Sequence, residues 1–276
     1  MLCANQSPVR QPYLFLTTFA NMTRLKLFSW INLVCLIVVI VVNTLAVTLP
    51  INGMSTGAIS DLYPSLFTPA GFTFSVWSAI YLLLITFSIY QFWLQREPYF
   101  TELSMWFWLS CVANASWILV WHHLFTLASV VIMLLLLFSL TRIFLLLQRQ
   151  PMKGIGEFIC LKLPFLFYLS WICVATIANV SCLLLDWKWD GGFLSPEIWT
   201  VLMIGTAATL GLFIAYRFKE PAFLIVLIWA FFGIYSKRVG TEYQFIADTA
   251  RVAAVVLAVM AGKLLIDKFR PTSKQG

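Results

Sequence analysis

Three stretches of the chain space aromatic and amide side chains so that they would share helix faces. Phe74, Trp77 and Tyr81 form the first set, Asn114, Trp117 and Trp121 the second. Tyr168, Trp171, Ala175 and Cys182 form the third, with Asn179 one turn beyond Ala175. Residues three, four or seven positions apart lie on one side of a helix. Rings in such stripes offer stacking surfaces, and a few amides offer polar anchors, a combination suited to a flat, apolar, polarisable ligand. Taken singly, each stripe reads as packing, and each amide as an interhelical hydrogen bond, because an unpaired amide inside a membrane span is costly. Convergence of all three on one cavity is what would make a binding site.

Other chemistry is thin. The 11 carboxylates fall in loops or near helix ends, which argues against a carboxylate relay through a membrane. No nucleophile elbow, phosphate-binding loop or HExxH motif is present. His122 and His123 are adjacent, so on a helix they point about 100° apart and read as interfacial side chains rather than joint ligands. Arg142 is placed to snorkel, and Asp248 with Arg251 reads as a local ion pair. Trp121, Trp187 and Trp189 fit an interfacial aromatic belt. The six cysteines form no CxxC pair, which points to neither a disulfide framework nor a zinc site. No catalytic and no metal-ligating residue is assigned.

The elements that must position these residues follow from composition. Of 276 residues, 61% are hydrophobic and 11% charged, with mean hydropathy +0.91. Soluble domains carry roughly a quarter charged residues. A helix crossing a bilayer needs about 20 mostly apolar residues. The pattern predicts an all-α polytopic membrane protein with about eight transmembrane helices, near 27–49, 69–94, 103–121, 125–147, 161–185, 197–216, 221–236 and 247–266. The seventh is the shortest. Pro69 is expected to open the second helix. In the eighth, Ala250, Ala254, Ala258 and Gly262 recur every fourth residue, and Ala207 with Gly211 offers a shorter version in the sixth, both expected to allow close packing.

Charge sets the expected orientation. With the N-terminus inside and the helices alternating, only Lys188, Lys237, Arg238 and Arg251 of the 18 basic residues fall outside. This follows the positive-inside rule. It also accounts for the net charge of +7 without nucleic acid. The expected location is the inner membrane of a bacterium, with both ends cytoplasmic.

The run FTPAGFTFSVWSAIYLLL (67–84), Asn114-x-x-Trp117, and the stretch with Tyr168, Trp171, Ala175 and Asn179 together resemble the TspO/translocator-protein family of tryptophan-rich sensory proteins. Pro69 and Gly71 match the opening of the family's second helix, and Trp77 and Tyr81 its later aromatics. Phe72 replaces a usual Trp, and Phe167 stands where a Pro is expected. The resemblance covers about 30–186. It implies a TspO-like five-helix bundle around an apolar pocket, lidded by the loop 51–68, plus three further helices. The division is then 1–26 as an N-terminal segment, 27–186 as the core, 187–268 as a three-helix extension and 269–276 as a tail.

The expected function is a membrane-embedded binding or sensory protein of the TspO type. Its ligand would be a hydrophobic aromatic such as a porphyrin, held by Phe74, Trp77, Tyr81, Asn114, Trp117, Tyr168, Trp171, Ala175 and Asn179. No cofactor is required, a porphyrin being a ligand. The partners are that ligand and the lipid bilayer, and a homodimer is compatible. Two other readings stand beside it, a permease for a small hydrophobic substrate and a photochemical enzyme that degrades bound porphyrin. Lack of buried charge counts against an ion-coupled carrier.

Overall fold

The computed structural model describes residues 11–49 and 51–269, and the side chains of 25–49 and 51–267. The N-terminal segment and the tail expected from sequence therefore lie partly outside the described residues. Among the described residues there is no strand. Helix α1 (Gln11–Thr48) reaches back well beyond its apolar part, Leu25–Thr48. The short α2 (Thr56–Asp61) follows, capped by the Ser55 hydroxyl, which accepts from Ala58 N–H. Then come α3 (Val76–Leu94), α4 (Phe100–His122) and α5 (Thr126–Gln148). A single turn, α6 (Ile155–Glu157), leads to α7 (Leu163–Asp186), α8 (Pro196–Phe218), α9 (Ala222–Arg238) and α10 (Gln244–Phe269).

The protein is an all-α polytopic membrane protein. Among the described residues, seven helical segments are long and apolar enough to cross a membrane. The eighth, α9, has 17 residues and would span only about 25 Å. Its contacts nevertheless reach both ends of the bundle. At one end Lys237 pairs with Asp61, and at the other the turn before α9 places Glu220 against Lys162. Eight helices thus alternate in direction, and both ends of the described chain fall on the side opposite α2.

Two helix starts differ from the sequence expectation. Pro69 does not open the second helix. Ala70 is extended and gives its N–H to Gly233 O on α9 (3.1 Å), so helical structure begins at a 3₁₀ turn, Gly71–Ser75, and becomes α-helical at Val76. The fifth span begins with a π-turn, Phe158–Lys162, just before Pro164. Proline has no N–H to give to the preceding turn, and a wider turn accommodates that gap.

Packing runs α1 against α3 and α4, α4 against α5, and α7 against α3, α5 and α9. Phe87, Phe107 and Phe165 from α3, α4 and α7 meet edge-to-face with centroids 5.0–6.0 Å apart and are fully buried. Near the end opposite α2, Asn32 Nδ2 donates to Gln91 Oε1 (2.7 Å) and Ser104 Oγ (3.0 Å), tying α1 to α3 and α4. The small-residue stripes divide. A methyl group added at Gly211 on α8 would overlap Leu227 Cδ1 of α9 and displace that side chain. Of the four stripe residues on α10 only Ala250 is fully buried, while Ala258 is exposed and Gly262 faces open space, so close packing does not persist along that stripe.

One charged cluster is buried, contrary to the expectation from sequence. Lys162 pairs with Glu220, Lys162 Nζ donates to Gln148 Oε1 (3.1 Å), and Gln148 Nε2 donates to Glu220 Oε1 (3.2 Å). These residues join the ends of α5, the π-turn and the α8–α9 turn. Removing one partner of such a pair leaves an uncompensated charge. Lys162→Met is therefore expected to cost about 3–5 kcal/mol, read as a lower unfolding midpoint in detergent, with Lys162→Met/Glu220→Gln recovering most of it. Equal midpoints for the single and double variants would contradict this.

Candidate functional site

The segment 51–70 folds over one end of the bundle as a roof. Its first half is fixed to α4. Asn52 Nδ2 donates to His122 O (3.0 Å), and Trp121 Nε1 donates to Thr56 O (3.3 Å). Trp121 is buried and stacks on Trp117 at 5.5 Å and 14°, which removes it from the interfacial belt expected from sequence. Trp187 and Trp189 are exposed. His122 is also buried, its Nδ1 2.8 Å from Ile118 O, while His123 is exposed. In the roof, Tyr63 leans on the Trp121 ring, and burial together with the nearby Asp186 carboxylate pushes its phenol up from the ordinary value.

Beneath the roof the three stripes meet. Trp77 lies nearly parallel to Tyr81 (5.5 Å, 16°) and edge-on to Tyr168 (5.6 Å) and Trp171 (6.3 Å), while Phe74 meets Trp171 edge-on (5.8 Å). The quadrupole of each ring favours such edge-to-face contacts. These rings separate two spaces. A gap of about 40 Å³ lies between the 3₁₀ turn, α3, α4 and α7, lined by Phe74, Trp77, Trp117, Trp171, Ala175 and Asn179. A cleft of about 720 Å³ lies on the other side, between α1 and α3 under the roof, where Phe74, Trp77 and Tyr81 face Asn43, Thr56 and Asp61. Ligand sites usually measure 300–1,000 Å³. By volume the cleft qualifies and the gap does not.

The amides are already engaged. Asn114 Nδ2 donates to Tyr168 Oη (2.7 Å), and its oxygen accepts from Asn43 Nδ2 (2.7 Å). Asn179 Oδ1 accepts from Trp117 Nε1 (3.0 Å), and Asn179 Nδ2 donates to Ser129 Oγ (2.8 Å). Asn114 and Tyr168 line neither space. Tyr81 is different. Its hydroxyl faces Asn114, yet no donor or acceptor meets it in good hydrogen-bond geometry.

All nine residues singled out from sequence thus fall in one neighbourhood. Six line the gap and three the cleft, with Phe74 and Trp77 common to both. Sequence reasoning missed Asn43, an α1 amide that reaches the cleft, and the roof residues Thr56 and Asp61. A polar residue within an otherwise apolar span was the available signal for Asn43. A second groove of about 680 Å³, between α3, α9 and α10, is lined by Val76, Trp229, Phe232 and Val255 and by none of the nine.

Asn179→Leu would strip the acceptor from Trp117 and the donor from Ser129, leaving an indole N–H buried and unpaired. The expected cost is about 1–3 kcal/mol, measured as a drop in unfolding midpoint. An unchanged midpoint would show that this hydrogen bond does not hold α4 to α7.

No curated protein and no solved structure matches the chain. A family model described as TSPO-like protein matches residues 29–263, taking in α8, α9 and most of α10 as well as the first five spans. A match over most of the chain, together with the stripes on α3, α4 and α7 under a roof between the first two spans, places this protein in the TSPO-like family.

Proposed function

We propose that this membrane-embedded, TspO-type protein binds a flat hydrophobic aromatic ligand of the porphyrin class in the α1–α3 cleft and acts as its sensor. The observation that carries the reading is the cleft itself, with about 720 Å³ of space and the rings of Phe74, Trp77 and Tyr81 along one wall. Trp77 and Tyr81, stacked with their planes 16° apart, offer a ring face on which a large π-system can stack. Asn43 and the hydroxyls of Ser55 and Ser78, which line the cleft, supply polar contacts to orient it. In this role Trp117, Trp171, Ala175 and Asn179 form the packed layer behind Trp77, and Asn114 with Tyr168 holds α4 and α7 in register. A ligand entering the gap would have to spread those helices, whereas the cleft already has the volume.

The test is a titration of the purified protein with protoporphyrin, followed by quenching of tryptophan fluorescence. Saturable quenching is expected, and Trp77→Ala should weaken it by roughly five- to tenfold, the loss of about 1 kcal/mol of stacking. Trp117→Phe, behind the wall, should weaken it less. Absence of saturable quenching would remove the porphyrin reading. Loss of porphyrin absorbance under illumination would favour the photochemical enzyme over the sensor.

A further inference from the structure

The second half of the roof is held by α9, which lies among the three helices beyond the five-helix core. Lys237 Nζ meets Asp61 Oδ1 at 2.5 Å. Arg238 donates to two roof carbonyls, Ser65 O (2.9 Å) and Leu66 O (3.3 Å). Lower on α9, Trp229 Nε1 donates to Thr73 O (2.9 Å), and Gly233 O accepts from Ala70 N–H. Gly233 lies so close to Thr73 and Pro69 that an added methyl group would overlap the Thr73 hydroxyl. The roof residues involved are those over the site. Asp61 lines the cleft, and Pro69 lines the gap. The first half of the roof, by contrast, is fixed to α4.

From this division we infer that α9 is the latch of the ligand chamber. Its contacts at 61, 65, 66, 70 and 73 hold the roof closed, and parting of the Lys237–Asp61 pair is the step that opens it. The inference rests on reading the cleft as the chamber, but its mechanics require no particular ligand. Asp61 is exposed enough to be screened by solvent, with its side chain at 55% accessibility against 26% for Lys237. Such a pair is weak by itself and breaks reversibly, as a latch must. Glycine at 233 lets the α9 backbone come close enough to take the Ala70 N–H.

Cys182 reports on the roof directly. It is 1% exposed and lines the gap under Ser60 and Pro69. The experiment follows its alkylation by a water-soluble maleimide, in the full-length protein in lipid nanodiscs, by peptide mass spectrometry. Cys160, on the π-turn at the opposite end, serves as the internal reference. Asp61→Asn should speed labelling of Cys182 about two- to fivefold, with Cys160 unchanged, and Gly233→Ala should act in the same direction. Asp61→Glu keeps the carboxylate and should restore protection. Raising salt should speed labelling of the wild type but not of Asp61→Asn. Equal Cys182 rates in the wild type and Asp61→Asn would overturn the inference, as would parallel acceleration of Cys160, which would report general loosening. No porphyrin is present in this measurement. Its failure and the failure of the ligand reading are therefore separate results.

Discussion

Inside a bilayer a side-chain amide has no water to bond, so it must find its partner on another helix or carry the full cost of desolvation. That constraint organises this bundle. Asn32 joins α1 to α3 and α4, Asn43 and Asn114 join α1 through α4 to α7, and Asn179 joins α7 to α4 and α5. Each bond has a fixed length and direction, so each sets the height of one helix against another in a way that aliphatic contacts alone do not. The aromatic stripes stand where they do because the amides on the same faces fix the register. Apolar packing, such as the Phe87–Phe107–Phe165 cluster, then fills the space so defined.

The same constraint decides what is left for a ligand. Asn114 and Asn179 have both ends of their amides committed, and Trp117 has given its indole N–H to Asn179. The larger space is lined by ring faces, by Asn43, by hydroxyls such as those of Thr44, Ser55 and Ser78, and by Asp61. A site built this way discriminates chiefly by shape and by ring stacking. Its polar groups can orient a ligand, but with Asp61 already paired to Lys237 the cleft presents little free charge to select one.

Much of this was legible in the sequence, and the limits have physical causes. The helices near 103–121, 125–147 and 197–216 agree with α4, α5 and α8 because uninterrupted apolar runs of this length have one stable form in a membrane. The spacing of Asn114 with Trp117, and of Trp171 with Asn179, placed those residues on facing sides of α4 and α7, since helix periodicity is a local property. Which helices face each other is not local. The cleft lies between α1 and α3, and on α1 Asn43 follows a largely aliphatic run with no aromatic stripe to mark it. Trp121 looked interfacial because its position at the end of a span is the same whether a roof covers it or not. From sequence Lys162 falls at the start of the fifth span and Glu220 between the sixth and seventh, and nothing local pairs them, because only the fold closes the distance between the π-turn and the α8–α9 turn.

Helix α9 shows why the three later helices are not simply appended to a five-helix core. It is the shortest of the crossing helices, yet Phe223, Leu224, Leu227, Phe231 and Ile234 are almost wholly buried between its neighbours. A helix so enclosed does not need the length of one that must match the bilayer itself, because protein and not lipid surrounds most of it. It needs anchoring at its ends, and it has that in Glu220 against Lys162 and in Lys237 against Asp61. One of those anchors belongs to the roof. Helices α8 and α10 pack against α9 and line no part of the cleft, and the family match across residues 29–263 takes in both the chamber with its cover and the later helix that contacts that cover.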